Sequence, residues 1–169
     1  MATAKAEDFI AIQQALYRYC HGVDRGRAEI AKSCFWPEAT DHHGDFDGPV
    51  FELIDRVVER SAVYPYMMQH HLTNIMISIE DDRADVESYF LAQNPVKNPD
   101  DSFILMFMGG RYLDRFERRN GEWKSAKREV VIDWAKHLDG APWPRQAVFA
   151  PSGRGEADAT HTFFSQADS

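Results

Sequence analysis

The sequence predicts an α+β fold, a cone in which three N-terminal helices pack inside a strongly curved, mainly antiparallel sheet. Two observations lead there. Apolar residues recur at steps of three or four in the first part of the chain, whereas from Gln69 onward four long runs are rich in β-branched and aromatic residues. Helices that precede such a sheet bury their stripes on one of its faces, and a bent sheet curling around them leaves a concave apolar cavity, the usual form of a ligand site.

The elements follow in order. From Asp8, the residues Phe9, Ile12, Leu16, Tyr19 and Val23 form one helical stripe that ends between Gly22 and Gly26, so Asp24 sits at the C-terminal end of the helix. A short second helix over Ala28 to Cys34 turns Ile30, Ala31 and Phe35 inward, and Pro37 stops it. A short strand is expected from Ala39 to His43, then a turn over Gly44 to Gly48. Pro49 opens a third helix carrying Phe51, Leu53, Ile54, Val57 and Val58, which ends by Tyr64-Pro65-Tyr66. The four strands are Gln69 to Ile79, Arg83 to Asn94, Phe103 to Arg119 and Glu122 to Trp134, with Gln93 to Ser102 as a surface loop. Asn120-Gly121 is the pair favoured in a two-residue type I′ turn. If Arg119 faces Glu122, simple counting sets Arg128 opposite Leu113, on a face shared with Phe107 and Arg111.

Composition narrows the function. At 169 residues the chain suits one domain, which buries roughly 70% of its unfolded surface. We assign residues 1–140 to the cone and 141–169, rich in Gly, Pro and Ser, to an irregular tail that packs on a neighbour or stays partly disordered. The formal charge of −8 with no Lys/Arg block argues against nucleic acid and anionic membrane, and no apolar run approaches the ~18 residues of a membrane span. Cys20 and Cys34 read as buried small hydrophobes, and the N-terminus lacks a signal-peptide pattern, so a cytoplasmic location is expected.

Tyr19, Asp24, His70 and Arg128 stand out because a phenol, a carboxylate, an imidazole and a guanidinium can converge from one helix and two strands. Strand alternation puts His70, Leu72, Asn74 and Met76 on one face. Asn74 is then placed to orient a substrate oxygen, and Met76, Phe107 and Trp134 to line an apolar cavity suited to a flat hydrophobic ligand. Asp41-His42-His43-Gly44-Asp45 tempts a metal reading, but adjacent histidines on a strand point to opposite faces, so no metal is assigned and His42 is given to the mouth of the cone. No phosphate-cradling loop or dinucleotide fingerprint follows a strand, so no cofactor is expected.

Several segments resemble the SnoaL-like branch of the nuclear-transport-factor-2-like cone fold. They are Ile12-Gln13 through Tyr19 to Gly22-Val23-Asp24, the FWPEA run from Phe35 to Ala39, the His70 to Asn74 strand, and the final hairpin from Gly109-Gly110-Arg111-Tyr112 to Trp123-Lys124. The likeness covers about residues 8 to 134. It implies an Asp-His pair, matched here by Asp24 and His70, and an Arg matched by Arg128. Members include a hexachlorocyclohexane dehydrochlorinase, scytalone dehydratase, a bile-acid dehydratase, polyketide cyclases, ketosteroid isomerases and lyases that deformylate lignin-derived diarylpropanes. Five positions before its Asp the dehydrochlorinase has a Lys, where this chain has Tyr19, as the bile-acid dehydratase does; that favours an oxygenated substrate over a halide.

On this resemblance the expected activity is that of a cofactor-independent lyase for a hydrophobic, aromatic oxygenated molecule, by dehydration or deformylation. His70 is the base, Asp24 its orienting partner, and Arg128 with Tyr19 the stabilisers of the developing oxyanion. The alternatives are a ketosteroid-isomerase-like isomerase and a non-catalytic β subunit of a ring-hydroxylating dioxygenase. A homodimer or homotrimer is expected.

Overall fold

A computed structural model of the chain describes residues 5–64, 67–138, 152–158, 160, 161 and 163. Three helices, α1 (Ala6–Asp24), α2 (Ala28–Lys32) and α3 (Val50–Ser61), pack on one face of six strands: β1 (Phe35–His43), β2 (Phe46–Pro49), β3 (Gln69–Glu80), β4 (Arg83–Lys97), β5 (Phe103–Arg119) and β6 (Glu122–Leu138). The sheet order is β2-β1-β6-β5-β4-β3, antiparallel throughout except where β1 runs parallel to β6. The α+β cone and its curved, mainly antiparallel sheet are therefore present. The sheet is not closed, because β2 and β3 remain edges.

The α1 stripe buries Ile12, Leu16, Tyr19 and Val23 against Phe35, Val86, Phe90, Tyr112 and Phe116, while Phe9 lies at its exposed end. The helix stops after Asp24, and Gly26, at φ 64°, turns the chain into α2. Pro37 does not end α2. It lies within β1, in the stretch between Phe35 and Thr40 where the register with β6 slips, so its missing N–H costs no ladder bond. The Gly44-Asp45 turn folds β1 back onto β2, a short strand with no sequence signal of its own.

The expected loop from Gln93 to Ser102 is shorter than its prolines suggested. β4 continues to Lys97, with Pro95 opposite Leu105, leaving residues 98–102 as the turn. At the last hairpin Asn120 and Gly121 both take positive φ (52° and 86°), as a type I′ turn requires, and Arg119 does face Glu122. In the tail, Pro142, Pro144 and Pro151 fall outside the described residues. The described piece from Ser152 packs on the α1–α2 turn, where the Gly155 N–H donates to the Arg25 carbonyl at 2.7 Å and Asp158 faces Arg25 at 3.6 Å.

Candidate active site

Asp24 ends α1 facing the start of β3, and one carboxylate meets both ends of the same residue. Its Oδ1 lies 2.6 Å from Nδ1 of His70, and its Oδ2 accepts the His70 backbone N–H at 2.8 Å. The second bond holds the carboxylate still while the first orients the ring, so with Asp24 ionised Nδ1 carries the proton and Nε2 is the free lone pair. Both side chains are largely buried. They floor a groove of about 270 Å³ between α1 and β3 whose rim includes Tyr17, His21, Gln69 and His71. A larger concavity, about 560 Å³, lies among Met76, Asp85, Glu87, Leu113, Arg115 and Lys127 on the other face of the sheet, away from the imidazole. The smaller one holds the carboxylate–imidazole pair of Asp24 and His70.

Behind the pair stands an aromatic wall. The His70 ring is 6.4 Å from Phe90, Phe90 stacks on Tyr112 at 4.4 Å, and Tyr112 meets Tyr19 edge to face at 6.0 Å. Arg128 enters between the two tyrosines, its guanidinium 4.2 Å from each ring and 5.0 Å from Phe35. Its Nε and Nη2 donate to the two oxygens of Asp114 at 2.9 and 2.8 Å. Burial opposes the charge of Arg128, yet the attraction and hydrogen bonds of Asp114, with Tyr19 and Asp41 adding to them, together hold the guanidinium's pKa well above its usual value. Burial also raises the Tyr19 phenol far beyond the physiological range, with the nearby Arg128 charge only partly opposing, so Tyr19 remains a neutral donor. The Cys20 thiol, pushed up to about 12 by burial, stays protonated and is a wall rather than a nucleophile.

The structure thus pairs Asp24 with His70 and Tyr19 with Arg128, the two pairs linked through Phe90 and Tyr112, and sets the other residues proposed from the sequence apart from both. Alternation on β3 breaks where its register with β4 shifts between Leu72 and Ile75. Beyond that bulge Ile75, Ile77 and Ile79 turn inward, leaving Asn74 exposed and Met76 64% exposed on the outer face. Phe107 and Trp134 also stand on that outer face, packed on each other at 5.3 Å. A Cβ on Gly109 would strike the Trp134 indole, whereas one on the next residue, Gly110, would strike Phe90 in the core. His42 points outward toward Asp47 at 3.7 Å, while Asp41, its neighbour, is fully buried. Among the described residues no three His, Cys, Asp or Glu side chains form a metal-binding group.

Two buried carboxylates beside Arg128, Asp114 and Asp41, were not given that place by the sequence. Asp114 is the true partner of Arg128, because a bulge at Ala126 advances β6 by one residue and sets Arg128 opposite Asp114 rather than Leu113. Asp41 reaches the interior because Ala39 and Asp41 share the inward face of β1. Its signal was present in the alternation of that strand, obscured by the paired histidines beside it.

Residues 4–129 match the model of the SnoaL-like domain. No curated protein sequence matches significantly. Among solved structures, a protein from Novosphingobium aromaticivorans assigned as a scytalone dehydratase is 20% identical (TM-score 0.66), with 83% of this chain and 95% of that one covered. Hexachlorocyclohexane dehydrochlorinase LinA, type 3, from Novosphingobium barchaimii is also 20% identical (TM-score 0.69; 83% and 96% covered). A second N. aromaticivorans protein, assigned as an aromatic ring hydroxylase, is again 20% identical (TM-score 0.69; 80% and 96% covered). At these identities the likeness is one of fold.

Proposed function

Because this chain belongs to the SnoaL-like domain family, we propose that it is a lyase that removes a proton from a hydrophobic, oxygenated small molecule and breaks a carbon–oxygen or carbon–carbon bond without an organic cofactor. The observation that carries this reading is the doubly held Asp24–His70 contact, at 2.6 Å through the ring and 2.8 Å through the backbone. Similarity to structures named as a scytalone dehydratase and a dehydrochlorinase supports it.

Nε2 of His70 takes the proton, and the electron pair left behind expels the leaving group or cleaves the adjacent carbon–carbon bond. Asp24 keeps the resulting imidazolium in place and balances its charge. Tyr19 donates to the oxygen on which negative charge develops, and Arg128, stacked on its ring, supplies a fixed positive charge in a dry site. In dehydration the proton leaves carbon and the pair left behind expels the hydroxyl from the neighbouring carbon; in release of formaldehyde it leaves a hydroxyl, the oxygen pair forms the carbonyl, and the pair of the broken carbon–carbon bond expels a hydroxyl from the next carbon, so both give water.

His70→Ala is expected to lower kcat/KM by about 10²- to 10⁴-fold on a panel of hydrophobic alcohols and halides while leaving the thermal melt cooperative. Full activity in a folded variant would remove the base from the scheme. A second reading, a non-catalytic subunit, draws on the similarity to the protein assigned as an aromatic ring hydroxylase. It predicts copurification with an iron-containing subunit whose turnover His70→Ala does not change.

A further inference from the structure

Asp41 is fully buried, yet neither of its carboxylate oxygens has a hydrogen-bond partner among the described residues. The nearest cation-forming group, Nδ1 of His43, is 3.8 Å from Oδ1, beyond hydrogen-bond reach. Directly across the parallel ladder its register partner is Arg128. There Nη1, the nitrogen not engaged by Asp114, is likewise buried without a partner. The negative charge of Asp41 acts on both Arg128 and the Tyr19 hydroxyl, so the three groups share one buried neighbourhood. A carboxyl group and a guanidinium N–H left unbonded out of solvent are costly, so this part of the cone is poised to accept a group that bonds both.

The pairing of one acceptor with one donor restricts what that group is. A hydroxyl fits, giving its hydrogen to Asp41 and accepting from Arg128 Nη1 through a lone pair. An ether or halide has no hydrogen for Asp41, and a carboxylate is repelled by it. We propose that Asp41 and Nη1 of Arg128 form a hydroxyl-recognition subsite, so that the substrate carries a hydroxyl at the end remote from the proton taken by His70. This rests on reading the cone as the substrate chamber. Asp41 is thus a specificity residue.

Phenol and anisole, which differ by the hydrogen on oxygen, test this on the full-length protein by titration calorimetry. Solvent does not reach Asp41 or Arg128 (0% and 1% exposed), so binding entails opening the chamber, and a single ring has least to displace. Phenol should bind about tenfold or more tightly than anisole, because a hydroxyl lost from a buried charged partner leaves that partner unpaired. In Asp41→Leu the preference should collapse, and the melting temperature should hold or rise, because an unbonded buried carboxylate has been replaced by a side chain of similar size. Asp41→Asn, which keeps the shape and removes the charge, should show the same collapse in part. Phenol binding no tighter than anisole, including no binding of either, would leave Asp41 a hydrated structural acid and overturn the proposal, as would a preference that survives in both variants. The preference should persist in His70→Ala, since it needs no proton transfer. Loss of turnover in His70→Ala without any phenol preference would sink this subsite alone, and the reverse would sink the lyase reading alone.

Discussion

Asp114 and Arg128 form a buried pair in which each is the other's only charged hydrogen-bonding partner among the described residues, through two bonds of 2.9 and 2.8 Å. Removing the acid strands a guanidinium among three aromatic rings, and a broken buried pair costs about 3–5 kcal/mol. Asp114→Ala should therefore lower the urea midpoint strongly, whereas the double variant Asp114→Ala with Arg128→Met should recover much of the loss. A double-mutant cycle with no recovery would show that the rings alone hold the cation. This pair also marks the limit of what single residues disclosed in the sequence. Asp24 and His70 were legible because a helical stripe fixes where α1 ends and a strand edge fixes which way His70 faces. Arg128 was legible as a buried residue, but its partner was not, since one bulged residue at Ala126 shifts the pairing by one and a count along the hairpin cannot sense it.

Packing between elements depends on close approach at Gly22. A Cβ there would sit 2.5 Å from the Ala31 backbone nitrogen, so α1 and α2 touch through bare backbone just before Asp24. Gly22→Ala should cost about 1–3 kcal/mol by overpacking, despite the higher helix propensity of alanine. The shift should also move the end of α1, so loss of activity should exceed what the lower stability accounts for at a temperature where the variant remains folded. Equal stability to the parent would mean that α2 yields freely. Element identity was legible wherever periodicity was long, as in α1, α3 and β3 to β6. It failed where irregularity interrupts a strand. The slip between Leu72 and Ile75 sends Asn74 and Met76 outward, and the one near Gly109 accompanies Trp134 on the outer face. A period of two carries no memory across an extra residue, so every assignment beyond a bulge reverses.

Across the whole molecule, the start of α1 is tied to the far end of the sheet by Asp8. Its Oδ1 accepts from Trp123 Nε1 and Arg118 Nη1, both at 2.9 Å, and its Oδ2 accepts the Lys5 N–H at 3.0 Å. The Trp123 bond, then the Lys5 backbone bond, hold the carboxyl below its ordinary 3.8. A carboxyl depressed on folding stabilises above its unfolded pKa, and that share is lost as pH falls through the folded value. Asp8→Asn should therefore be less stable than the parent at pH 7, by about 1–3 kcal/mol, and the gap should narrow toward pH 2. Urea midpoints at both pH values measure it, and a constant gap would rule the carboxyl out. The cone itself was legible from the order of helices before strands, but the parallel contact of β1 with β6 was not, because nothing local distinguishes a strand that pairs across the chain from one that pairs with its neighbour.

That parallel contact sets a timetable. On the ribosome, α1 and β3 both emerge before β4 to β6, but β1 has no neighbour on its second edge until β6, the last strand among the described residues, has been made. Long-range pairing of this sort is slow to form. The Asp24–His70 contact lies wholly in chain made before the strand that brings Arg128 beside Asp41, and a chain released short of β6 would expose a raw sheet edge, a nascent form that invites chaperone capture or self-association.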